Sequence, residues 1–208
     1  MKTSQAPLFR RDFTLVVIGQ IISLFGNAIL RFALPLYLLR QTESPALFGA
    51  VGAAAFIPAV LCAPIGGVVA DRVNKRNIMV VLDFSTAGLI LLFTLLLDRA
   101  PLVPLMVASL MLLYGIAGAY QPSVQASIPL LARPEQLTSA NAVINMVQTL
   151  SALLGPVIGG VLFGAFGLRP ILWVGMACFF LSAVMELFIR IPHSPRAAAG
   201  GVLSTVRR

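Results

Sequence analysis

The chain has 208 residues, of which 59% are hydrophobic and 11% charged, with a formal net charge of +8. A water-soluble domain carries about 25% charged residues, so this chain lacks the polar surface to face water and must face lipid. The positive charge does not point to nucleic acid, because the basic residues punctuate apolar segments instead of forming one stripe.

The N-terminal stretch MKTSQAPLFRRDFTLVV has the basic opening of a signal peptide. The apolar run after Arg11, however, lasts about 27 residues against roughly 7–15 in a signal peptide, which predicts a retained membrane helix. About 20 apolar residues cross a hydrocarbon core, and six runs meet that length: 13–39, 45–70, 77–97, 102–122, 137–166 and 168–191. The fourth has an apolar continuation towards Leu131. The expected organisation is an N-terminus over 1–12, a six-span bundle over 13–191, and a tail over 192–208. Several runs contain Pro and Gly, which membrane helices tolerate better than soluble ones. Cys62 and Cys178 lie inside apolar runs and read as small buried side chains, not as a disulfide.

Loop charges orient the spans. Lys2, Arg10, Arg11, Arg72, Lys75, Arg76, Arg133, Arg190, Arg196, Arg207 and Arg208 fall on one side, and only Arg40, Arg99 and Arg169 on the other. By the positive-inside rule the richer side is cytoplasmic, which places both termini inside.

Three spans carry a polar stripe. In the first, Gln20, Ser23, Asn27 and Arg31 share one helical face. In the fourth the stripe is Tyr114, Gly118, Gln121 and Gln125, and in the fifth Asn141, Asn145 and Gln148. Two readings stand: a shared hydrated cavity, or hydrogen-bonding between packed helices. Arg31 lies in the outer half of its span, where it either snorkels outward or faces the cavity as a ligand or counter-ion site. Asp83 and Glu186 are the other charges well inside apolar runs, near the cytoplasmic ends of spans three and six. Pairing with basic residues of the inner loops is the expected role, with proton coupling as the alternative.

Small residues recur. APIGGVV, late in span two, resembles GPVIGGVL, late in span five, and the two spans run in opposite directions. Such an echo is what an inverted repeat of three helices leaves in a sequence. Between spans two and three, PIGGVVADRVNKRNIM packs Asp71, Arg72, Lys75 and Arg76 just beyond Gly66 and Gly67. Asp71 stands at the negative end of its own helix dipole, where a carboxylate is disfavoured and needs a partner close by. The combination reads as an electrostatic latch at a helix interface. His193 is the single histidine and has no neighbouring ligand. Neither catalysis nor a metal or cofactor site is expected.

Gly67-x-x-x-Asp71-Arg72-x-x-Lys75-Arg76 resembles the loop 2–3 signature of the major facilitator superfamily, and Gly155-Pro156-x-x-Gly159-Gly160 resembles its antiporter motif. The stretches GQIISLFGNAILRFALPLYL, YQPSVQASIPLLARPEQLTSANAV and RIPHSP are similar to the drug-efflux branch with macrolide and enterobactin exporters. The superfamily's span-four arginine is absent. The resemblance implies an all-α bundle of two inverted three-helix repeats, one half of a transporter in the bacterial cytoplasmic membrane. It implies efflux of a small amphipathic compound by alternating access, with protons as coupling ion and a missing C-terminal half or second copy as partner. Asp71 would hold the outward-facing state against the second half, and the span-five glycines would shape the closing interface. The alternative expectation is a non-transporting membrane protein, an assembly or interaction partner on a half-transporter scaffold. The tail RIPHSPRAAAGGVLSTVRR resembles the start of a central linker and suggests a partial chain.

Overall fold

A computed structural model describes residues 10–189, with the backbone alone at Asp71. The expectations for the two terminal segments and for the Asp71 side chain therefore lie outside the described residues. Six long helices fill the described residues: α1 (Arg11–Thr42), α2 (Pro45–Arg72), α3 (Lys75–Leu96), α4 (Leu102–Leu131), α5 (Leu137–Phe166) and α6 (Leu168–Leu187). Each is long and apolar enough to cross a bilayer. A single 3-10 turn, Pro134–Gln136, precedes α5. The end of the bundle at which α1 begins is called the base below, and the opposite end the crown.

Local chemistry sets the boundaries. Ser44 caps α2 by accepting from the Leu47 N–H at 3.2 Å, with Pro45 in the first turn. Asn74 caps α3 by accepting from the Arg76 N–H at 3.0 Å, so α3 starts at Lys75, two residues before the apolar run. Only Val73 and Asn74 separate α2 from α3. Gly167, at φ 74°, makes the sharp turn between α5 and α6. Pro122 and Pro129 sit inside α4 without ending it, and the helix runs on to Leu131.

The packing has an internal symmetry. α1 packs on α5 and α6, α4 packs on α2 and α3, and α3 pairs with α6. Exchanging α1 with α4, α2 with α5 and α3 with α6 maps that set of neighbours onto itself. Helices three apart in an up-and-down bundle run in opposite directions, so the chain is two inverted three-helix repeats. Small residues let the seams close. A Cβ on Gly66 would come within 2.6 Å of the Ala119 Cα, and one on Gly155 within 2.2 Å of the Ala28 Cβ.

The apolar core divides by depth. Phe13, Met79, Ile128 and Ile144 form a cluster at the base, and Leu38, Phe93, Leu110 and Leu172 belong to another towards the crown. α2 and α5 turn bare apolar faces outward, with Val60 at 70% exposure and Val161 at 67%. In water such faces would aggregate; in lipid they are the expected surface.

Candidate functional site

Between the two core clusters lies a cavity of about 700 Å³, within the range of sites for small ligands. Polar side chains from α1, α4 and α5 meet there: Asn27, Arg31, Tyr114, Gln121 and Gln148 all line it. Four of their atoms are buried without a hydrogen-bond partner, namely Asn27 Oδ1, Arg31 Nε, Gln121 Nε2 and Gln148 Nε2. Helix-to-helix bonding would have satisfied these atoms, so it is not what this group of side chains is built for.

Arg31 does not snorkel. Its guanidinium carbon lies 3.6 Å from the Tyr114 ring centroid, a cation–π stack. The Phe56 ring meets Tyr114 edge-on, at 4.9 Å between centroids. An arginine turned inward onto a tyrosine is held in the cavity wall.

Towards the base the wall becomes a buried polar cluster built by α1, α3, α4 and α6. Ser23 Oγ donates to Asp83 Oδ1 at 3.0 Å. Tyr120 OH donates to Glu186 Oε1 at 2.6 Å, and Gln20 Nε2 donates to Tyr120 OH at 2.9 Å. Ser182 Oγ donates to the Gly19 carbonyl at 3.1 Å beside them. Asp83 and Tyr120 line the cavity, whereas Glu186 and Gln20 lie behind it at 0% exposure. Asp83 Oδ2, Glu186 Oε2 and Gln20 Oε1 have no partner.

Several expectations need correcting. Among the described residues neither Asp83 nor Glu186 pairs with a basic loop residue, and the ion pair found is Arg169–Asp98, at 2.5 Å and exposed at the crown. Arg76 does reach Glu186, but at its backbone: Nε donates to the Glu186 carbonyl at 3.2 Å and Nη2 to the Leu187 carbonyl. The guanidinium thus caps the C-terminus of α6, where orphan carbonyls favour a cation. Gln20 belongs to the buried cluster and not to the cavity lining. Gln125, Asn141 and Asn145 are exposed and outside the cavity, with Asn141 donating to the Leu137 carbonyl of its own helix at 2.8 Å. Gly118 does line the cavity, and it also packs against α2, where a Cβ would lie 2.6 Å from the Ala59 carbonyl oxygen.

Of the loop 2–3 residues, Arg72 is exposed and Lys75 is buried at the start of α3. A Cβ on Gly67 would meet nothing within 4 Å, so of the two adjacent glycines only Gly66 lies against a neighbouring helix. In α5, Pro156 lines the cavity, and Gly155, Gly159 and Gly160 face Ala28, Ile29 and Phe32 of α1. The polar stripes passed over Tyr120, which adjoins Gln121 in sequence, and Ser182, a lone hydroxyl in an apolar run. A tyrosine inside a membrane helix was the available signal, since a buried phenol needs a partner.

A six-helix membrane bundle with inverted repeats and a polar space at mid-depth defines a secondary-transporter half. This chain belongs to the Major Facilitator Superfamily, whose family model matches residues 16–205. It is 26% identical over 185 residues to macrolide efflux protein A of Streptococcus pyogenes, covering 88% of this chain and 46% of that protein. It is 28% identical over 204 residues to multidrug resistance protein MdtG of Enterobacter lignolyticus, covering 95% and 48%. An uncharacterized MFS-type transporter of Bacillus subtilis, YfiS, is 24% identical over 188 residues, covering 89% and 44%. The chain spans about half the length of these curated relatives. It is a multi-pass membrane protein of a transporter family, and not an enzyme.

Proposed function

We propose that the protein is one six-helix half of an exporter that moves small amphipathic compounds out of the bacterial cytoplasm by alternating access and proton antiport. The observation that carries this reading is the cavity, where unpartnered polar atoms of three helices converge between apolar walls. The relatives named for macrolide efflux and multidrug resistance support export as the direction.

Alternating access needs a second body to rock against, supplied by further chain or by a second copy. The base is the cytoplasmic face: Arg10, Arg11, Arg72, Lys75, Arg76 and Arg133 gather there, against Arg40, Arg99 and Arg169 at the crown. On this reading the α2–α3 connection is the cytoplasmic gate, and its Asp71 meets the second half.

Asp83 and Glu186 carry the coupling proton. Intramembrane carboxyls without a cation partner are the groups that exchange protons in pumps and transporters. One of them opens on the cavity and the other is sealed behind it.

The test uses inverted membrane vesicles holding the complete transporter and an imposed proton gradient. Adding a transported amphipathic dye should release part of the gradient, and Asp83→Asn should cut that release at least tenfold. Dye movement indifferent to the gradient would overturn antiport, and no movement of any amphipathic compound would overturn export. For orientation, a single cysteine at Arg72, with Cys62 and Cys178 replaced, should escape an impermeant thiol reagent in intact cells. Labelling there would reverse the topology.

A further inference from the structure

Among the described residues, Arg31 is the one cation lining the cavity, and none of them neutralises it. Asp83, which also lines the cavity, stands at the level of Ser23 through their hydrogen bond. Arg31 is eight residues further along α1, so about 12 Å of helix axis separates the two levels. The cavity therefore has two poles: a basic one towards the crown and a carboxyl one towards the base.

The basic pole is built. Tyr114 covers one face of the guanidinium at 3.6 Å, and Phe56 fixes the Tyr114 ring from the side. Stacking occupies one face and leaves the donor edge in the guanidinium plane, where Nε is sealed off without an acceptor and the two Nη groups make no hydrogen bond among the described residues. A carboxylate, sulfonate or phosphonate pairs with arginine through that edge, by two parallel N–H···O bonds. A cation or a neutral amide offers no such match. Apolar surface from Phe32, Phe56 and Phe179 surrounds the remaining space.

We infer that the cavity binds amphipathic compounds bearing an oxyanion, with the anion seated on the Arg31 edge and the apolar body lying towards Phe179. The inference rests on the export reading for the route the ligand takes, though not for its binding. Arg31 is then the residue that decides the charge class of the cargo, and Tyr114 is the residue that positions it.

The test measures binding alone, with no gradient. The full chain in nanodiscs is titrated calorimetrically with 1-naphthalenesulfonate and with the 1-naphthyltrimethylammonium cation, which shares its ring system. The sulfonate should bind at least tenfold tighter than the cation. Arg31→Gln should weaken sulfonate binding at least tenfold, with Arg31→Lys intermediate, since a lysine keeps the charge and loses the fork. Tyr114→Leu keeps the charge and removes the stacking plane, so it should weaken sulfonate binding several-fold even if Arg31→Gln fails to fold. Arg40→Gln, an exposed charge at the crown end of α1, should leave affinity unchanged. Equal affinity for the two probes, binding of neither at millimolar concentration, or full affinity in folded Arg31→Gln would each overturn the site. Sulfonate binding at Arg31 with no export of any amphipath by the complete transporter would sink the export reading and leave this site standing.

Discussion

Helices α2 and α5 carry nearly the same small-residue sequence, Pro64-Ile65-Gly66-Gly67 and Pro156-Val157-Ile158-Gly159-Gly160, and use it differently. In α5, Gly155, Gly159 and Gly160 all face α1, against Ala28, Ile29 and Phe32. In α2, Gly66 faces the α4 backbone at Ala119, whereas Gly67 faces open space. The repeat explains the likeness, because α2 on α4 and α5 on α1 are the same seam related by the internal symmetry. The difference lies in what each glycine meets. At Gly66 it is backbone, at Gly155 it is a side chain, and at Gly67 it is nothing within this chain. The same residue type thus sits in three environments, and single substitutions separate them.

The largest effect belongs to Gly66. A new Cβ there lies 2.6 Å from the Ala119 Cα and 2.8 Å from its carbonyl oxygen, and backbone cannot rotate away. Gly66→Ala should separate α2 from α4 and cost about 1–3 kcal/mol or more, as overpacking of a tight interior does. Thermal unfolding of the purified chain in detergent reads it directly. Adding Ala119→Gly should not restore stability, because the clashing atoms remain. Restoration would mean that the seam closes on side chains after all.

Gly155→Ala comes next. Its Cβ would overlap the Ala28 Cβ at 2.2 Å, while the nearest backbone atoms stand back at 3.3 Å. The single change should destabilise the chain in the same assay, and Ala28→Gly should recover most of the loss. A pair that merely adds would show that backbone strain governs this seam too.

The six spans were legible in the sequence because a bilayer imposes length and apolarity on every crossing. Their ends were less so: α3 begins at Lys75 because Asn74 caps it, and hydropathy does not register a cap. The polar stripes named the correct helices but not the depth. Asn141, Asn145 and Gln148 share a face of α5, yet Asn141 is four residues from the helix start and Gln148 eleven, about 6 Å and 16 Å along the axis. Gln148 reaches the cavity and Asn141 lies nearer the base, below it. Periodicity gives the side of a helix, and the height of a cavity depends on where other helices cross. For the same reason the Tyr120–Glu186 bond, between residues 66 apart in sequence, had no signature along either helix alone.

Gly67→Ala should have the smallest effect, and it is the change that looks beyond this chain. Within the six helices an added methyl meets nothing. Replacing glycine by alanine inside a helix favours the helix by about 1 kcal/mol, so the isolated chain should be unchanged or slightly more stable. Yet Gly67 opens the sequence signature that continues through Asp71 and Arg76, and Arg76 caps α6 at the residue bearing the buried Glu186 carboxyl. If the open side of Gly67 is where the second half docks, the same methyl must fall in that interface. Dye efflux by the complete transporter should then drop several-fold while the six-helix chain keeps its stability. A destabilised chain would reveal a neighbour inside the bundle. Undiminished efflux would show that no second body comes close at this point, and the α2–α3 gate would have to close elsewhere.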